Sequence, residues 1–154
     1  MAQRAFDVEA VVPVDPEAAI EFLTDLTRHR GLHPYLVDAV VTEKGEDGSG
    51  PWATWRVRER PRLGPFRYSI RFDARLTRTS PTSFSSWVLA APGCTIDATT
   101  SARNGETPGT AHLVEHAVVT APAPLLAYMA HHAELAHART FDRLPDVLSG
   151  RSDR

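Results

Sequence analysis

The side chains best able to move a proton near neutral pH are histidines, and this 154-residue chain has seven of them. His137 is the most informative. It falls on the apolar face of a C-terminal helical pattern, where it can hydrogen-bond a ligand carbonyl or serve as acid or base. The competing role is a core or rim histidine satisfied by a backbone carbonyl or a tyrosine hydroxyl. Glu115 and His116 are adjacent in a strand-like run, so they point to opposite faces and only one of them faces inward. With Leu113, Ala117 and Val119 inward, Glu115 becomes a carboxylate buried against the helix; with Val114 and Val118 inward, His116 takes its place. Hydropathy leaves that register open. Glu59 shares a face with Trp55 and Val57 near a strand end, where the mouth of a cavity can lie. The plainer role for each of these acids is a rim residue paired with an arginine.

A metal centre is not expected. His131 and His132 are neighbours and cannot share a helix face, and His112 and His116 lie ~13 Å apart along one strand face. No pair has the i, i+4 helical carboxylate–histidine arrangement of known zinc enzymes, and His33 sits in a His-Pro turn that it caps or packs. The chain also lacks a nucleophile elbow, a phosphate-cradling glycine loop and a dinucleotide fingerprint, so no cofactor is expected. Cys94 is the single cysteine. It follows Pro92-Gly93 at a turn with no cationic cluster to activate it, and it reads as a packing or surface thiol.

These residues must be positioned by a sheet and one long helix. Phe6, Val8, Ala10, Val12 and Val14 alternate with polar residues over 5–14, a first strand. Asp15-Pro16-Glu17 caps and opens a helix that runs to about Thr27 and is broken at Gly31, with a second short helical turn expected around Leu32 to Leu36. Six further strands are expected over 37–44, 52–60, 66–76, 83–90, 95–102 and 110–120. Turn residues and prolines at the ends of the runs punctuate them. A helix from about Pro124 to Leu148 closes the pattern. Short turns make consecutive strands antiparallel neighbours, and the helices cover one face, which makes the class α+β. One domain over 1–148 with a flexible tail at 149–154 is expected.

Composition narrows the partners. Hydrophobic content is 42%, charged content 23%, and the net charge is -2 with a pI near 6.4. That balance gives no reason to expect nucleic acid or an anionic membrane. Arginines do cluster at 56, 58, 60, 62, 67, 71, 75 and 78, but they alternate with apolar residues and are interrupted by Glu59 and Asp73, as on a solvated outer sheet face. No stretch approaches the ~18 apolar residues of a membrane span, and the N-terminus runs straight into a strand. A cytoplasmic location is the expectation.

With this element order, Asp15-Pro16 opening the helix, His33-Pro34 after it, and Gly109-Thr110 opening a strand that ends in Ala121-Pro122, the chain resembles the START-like helix-grip (SRPBCC) superfamily, in particular its bacterial polyketide cyclase/dehydrase-type members. The resemblance covers nearly the whole chain. It implies a seven-stranded antiparallel sheet wrapped around the C-terminal helix, with a cavity for a small hydrophobic molecule between them. By strand parity the cavity wall is Trp55, Val57, Tyr68, Ile70, Phe72, Ala74, Trp87, Leu89, Ile96 and Ala98. Leu126, Met129, Ala130, Ala133, His137, Phe141, Leu144 and Leu148 supply the facing helix stripe. Small alanines mid-stripe leave room. His137 is then expected opposite Tyr68 or Trp87. The expected function is binding of a lipid, polyketide or other aromatic or isoprenoid molecule. A cyclase/dehydrase using His137, with Tyr68 or Glu115, is the alternative, and a protein–protein interaction module is a further one. The oligomeric state is left open.

Overall fold

The computed structural model describes residues 1–150 apart from Pro34, Pro61, Gly64, Tyr68 and Pro92, and of Arg62, Leu63, Arg67 and Ala91 it describes the backbone. Strand β1 is Ala2–Val12, followed by helix α1, Pro16–Thr24, and a 3-10 turn at Leu26–Gly31. Then come β2 Leu36–Asp47, β3 Gly50–Glu59, the two-residue strands β4 Arg62–Leu63 and β5 Phe66–Arg67, and β6 Ile70–Ser80. Strands β7 Ser83–Ala91, β8 Cys94–Asn104 and β9 Ala111–Ala121 lead into helix α2, Ala123–Leu148. Seven strands form one antiparallel sheet in the order β1-β9-β8-β7-β6-β3-β2. The expected α+β architecture, a long C-terminal helix on one face of a seven-stranded sheet, is what the chain adopts.

Local chemistry moved some boundaries. Helix α1 ends at Thr24, because Asp25 turns extended and its carboxylate accepts the Thr27 N–H at 3.1 Å, which starts the 3-10 turn. The second helical turn therefore lies at Leu26–Gly31 and not at Leu32 to Leu36. The run expected as one strand from Phe66 is divided: Phe66–Arg67 pairs back on Arg62–Leu63 in its own ribbon, and the sheet strand begins at Ile70. Of the expected tail, Gly150 donates its N–H to the Val147 carbonyl, and residues 151–154 lie outside the described set. Between β2 and β3 the chain turns on Gly50 at φ +124, where a Cβ would meet the Arg78 carbonyl oxygen.

The inner sheet face and the helices enclose two apolar clusters. One joins Val12, Ile20, Leu23, Trp55, Val57, Leu113, Phe141 and Leu144. The other, richer in alanine, joins Phe6, Ala98, Ala117, Val119, Ala130 and Ala133. Helix α2 lies closest to β1 and β9. The outer face is polar and largely self-neutralised: Arg56 pairs with Asp73 at 3.2 Å, Arg58 with Asp38 at 2.7 Å and Arg75 with Asp47 at 3.4 Å. These pairs are exposed and contribute little stability each.

The helix stripe can be tested directly. Leu144→Ala, at a fully buried position, is expected to lower the unfolding free energy in urea by about 3 kcal/mol. Leu125→Ala, half exposed near the start of the same helix, should change it by less than ~0.5 kcal/mol.

Candidate functional site

The two clusters are separated by three polar side chains, one from each of three elements. On β8, Thr100 lies between inward Ala98 and Ala102; on β9, Glu115 lies between Leu113 and Ala117; on α2, His137 lies between Ala133 and Phe141. Thr100 and Glu115 are directly paired across the strands. Thr100 Oγ1 donates to Glu115 Oε2 at 3.0 Å, and His137 Nδ1 bonds Glu115 Oε1. Glu115 is only 7% exposed and Thr100 fully buried. The open register of β9 is thus settled: Glu115 faces inward, and His116 is exposed on the outer face with Asp7 at 2.8 Å. Glu115 is paired with a histidine and a threonine, not with an arginine.

A carboxylate only accepts hydrogen bonds, so Nδ1 of His137 carries the proton on the shared line. Nε2 is then the free nitrogen, and it has no partner among the described residues. Phe6 holds the ring edge-on at a centroid distance of 5.3 Å. A second polar atom stands without a partner among the described residues, the buried indole nitrogen Nε1 of Trp55 on the inner face of β3. A buried N–H is costly to leave unsatisfied, and the Trp55 indole suits an acceptor oxygen, whereas the bare Nε2 of a neutral His137 accepts and suits a hydroxyl.

The wall expected from parity is brought together only in part. Trp55, Val57 and Ala74 are buried on the inner face; Ile70, Phe72 and Ile96 face inward but are only half buried, with Ala98 buried beside them. Met129, Ala130, Ala133, His137 and Phe141 form the facing stripe of α2 as expected. Trp87 and Leu89 are corrections: they are 42% and 43% exposed on the outer face. In β7 the inward residues are Phe84, Ser86 and Val88, set by pairing of Ala74 with Val88 and Leu76 with Ser86. Apolar residues occupy both parities of that strand, so alternation alone misassigned it. His137 therefore does not lie opposite Trp87, and Tyr68 is outside the described residues. Two hollows, of about 360 and 630 Å³, lie away from the space under α2, on the outer sheet face and beside the β2–β3 hairpin.

Two further histidines gather near the site. His29 is buried, stacked on Phe22, with Nε2 2.9 Å from the Phe22 carbonyl oxygen; burial pushes its pKa down. His33, 5.7 Å from His29 between ring centroids, is lowered to about 4 by burial and then by His29, His137 and Arg143. Glu59, on the inner face at the end of β3, is raised by burial. Cys94 is a buried free thiol whose pKa burial also raises. Among the described residues no three His, Cys, Asp or Glu side chains converge as a metal site would need.

This arrangement is the START-like helix-grip fold. The chain is similar to Ara h 8.0201, with a TM-score of 0.71 and 14% identity over 96% of this chain and 99% of that one. It is also similar to the Zhui aromatase/cyclase from Streptomyces sp. R1128, with a TM-score of 0.70 and 13% identity over 99% and 95%. A START superfamily protein from Mycobacterium smegmatis aligns at a TM-score of 0.63 and 13% identity over 92% and 96%. No protein-family model matches the chain, and no curated protein matches it by sequence. Identity this low speaks for the fold and leaves the activity to the site itself. No described helix is long and apolar enough to cross a membrane.

Two outcomes follow from the site. His137→Leu leaves Glu115 with only Thr100 and is expected to cost about 2 kcal/mol in denaturant titrations, while the His137→Leu/Glu115→Leu double variant should fall short of the summed losses by ~1 kcal/mol. The second concerns acid. His33 stays neutral in the folded chain until about pH 4, whereas the unfolded chain protonates it near 6.5, so stability is lost as pH falls through that window. For a partly open ring the loss is about 2 kcal/mol, and His33→Gln should flatten the pH dependence of the urea midpoint by that amount.

Proposed function

We propose that the chain binds a small, mainly apolar molecule bearing an oxygen function in the space between the inner sheet face and α2. The observation that carries this reading is the half-buried state of inward residues. Ile70, Phe72, Val88 and Ile96 face inward from the sheet and Met129 faces inward from α2, yet all keep part of their surface open, which a closed core would not leave. Trp55, Val57, Ala133 and Phe141 complete the apolar surround, and Nε2 of His137 and Nε1 of Trp55 supply donors or acceptors for the oxygen. Lipids, polyketides and other aromatic or isoprenoid molecules fit that description. A cytoplasmic setting is part of the same reading and agrees with Cys94 being kept as a free buried thiol.

A second reading is favoured by the Glu115–His137 pair. A carboxylate that fixes the ring and leaves Nε2 bare is a general-base arrangement, and a dry enclosure needs few other groups to steer a folded polyketide-like chain. The similarity to an aromatase/cyclase supports a cyclase/dehydratase of this kind.

Thermal-shift screening against fatty acids, quinones and aromatic polyketides tests the first reading. A ligand present at about 100 times its dissociation constant should raise Tm by ~5–10 °C, and Ala133→Phe, which fills the space, should remove the shift. No shift with any member of the set would contradict it. On a substrate that turns over, unchanged kcat in His137→Ala would sink the second.

A further inference from the structure

The outer face of the sheet carries a hollow of about 360 Å³ that has no part in the site above. Trp87 of β7 forms one wall and is 42% exposed. Its direct cross-strand neighbours are Arg75 on one side and Asp97 on the other. Arg75 does not cover the indole: its guanidinium stacks 4.0 Å from the centroid of the Trp52 ring and reaches Asp47. His116, at the far side of the hollow, is drawn outward to Asp7 at 2.8 Å. Arg75 and His116 are thus both engaged elsewhere, and the space between them stays open over Trp87 and Asp97.

Asp97 makes no hydrogen bond or ion pair among the described residues, and the same holds for the hydroxyls of Ser85 and Thr99, which are paired in the next cross-strand row. An uncovered indole face beside an unengaged carboxylate and two free hydroxyls matches a ligand with one apolar face and a rim of hydroxyl groups. A phosphate or nucleic acid would meet the Asp97 charge, and a quaternary ammonium is held by a cage of several aromatic rings where this hollow offers one. The volume falls in the range of small-molecule sites.

We infer that this outer hollow binds a neutral saccharide, with Trp87 stacking on the apolar face of a sugar ring and Asp97 accepting hydrogen bonds from adjacent hydroxyls. The site stands apart from the inner space, so neither depends on the other. The test is an NMR titration of the three tryptophan indole N–H resonances, assigned by substitution. Neutral disaccharides built from glucose, galactose, mannose and N-acetylglucosamine serve as probes, with choline as the comparison. At least one disaccharide should shift the Trp87 resonance saturably. Binding should be lost in Trp87→Ala, read from the sugar's saturation-transfer signal, and weakened ~10-fold or more in Asp97→Asn. Both positions are on the surface, and an unchanged Tm in the variants separates lost binding from lost folding. The inference is overturned if no disaccharide gives a saturable shift, if choline alone does, or if Asp97→Asn binds as well as the parent.

Discussion

A carboxylate buried in an apolar interior must be satisfied where it lies, and Glu115 imposes that requirement on three elements at once. A charge taken out of water and left unpaired costs several kcal/mol, so both of its oxygens need partners. Thr100 supplies one from the neighbouring strand, and His137 supplies the other from the helix. The pairing of Thr100 with Glu115 fixes the register of β8 on β9, and the bond to His137 fixes the position of α2 along the sheet. The long helix is tied to the sheet by this polar seam as well as by apolar contact.

The seam also divides the interior. On one side, large side chains such as Leu113, Phe141 and Leu144 close a conventional core with α1. On the other, Ala117, Ala130 and Ala133 bring small surfaces together, and inward residues beside both clusters stay half buried, Phe72 and Val88 by the first and Ile96 and Met129 by the second. The histidine at the boundary has one nitrogen committed to the seam and the other without a partner among the described residues. On the proposed binding reading, stability and recognition share one residue, so a change that loosens the seam would also loosen the fold.

Much of this was legible in the chain. Period-two alternation placed the seven sheet strands to within a few residues, and the three- and four-residue spacing on the last helix placed its inward face, His137 included. Where apolar residues sat on both parities, the sequence could not choose. In β9 it left Glu115 and His116 undecided, and in β7 it favoured Trp87 and Leu89 over Val88. Pairing with neighbouring strands settles both, and that is a tertiary constraint absent from local pattern. The partnership of Glu115 with Thr100 was not visible, since fifteen positions separate them and only the β8–β9 hairpin brings them opposite. The outer hollow was hidden by the same error of parity that turned Trp87 inward.

The central claim is that the space beside the Glu115–His137 seam receives an apolar ligand. Methyl-labelled NMR of the protein with a bound fatty acid or aromatic polyketide addresses it most directly. Intermolecular NOEs from the ligand to the methyls of Met129, Ala133, Val88 and Ile96, with none to Leu89 or Leu125, are the predicted result. NOEs confined to Leu89, Leu125 or other outward methyls, or none at a ligand concentration that saturates binding, would contradict it.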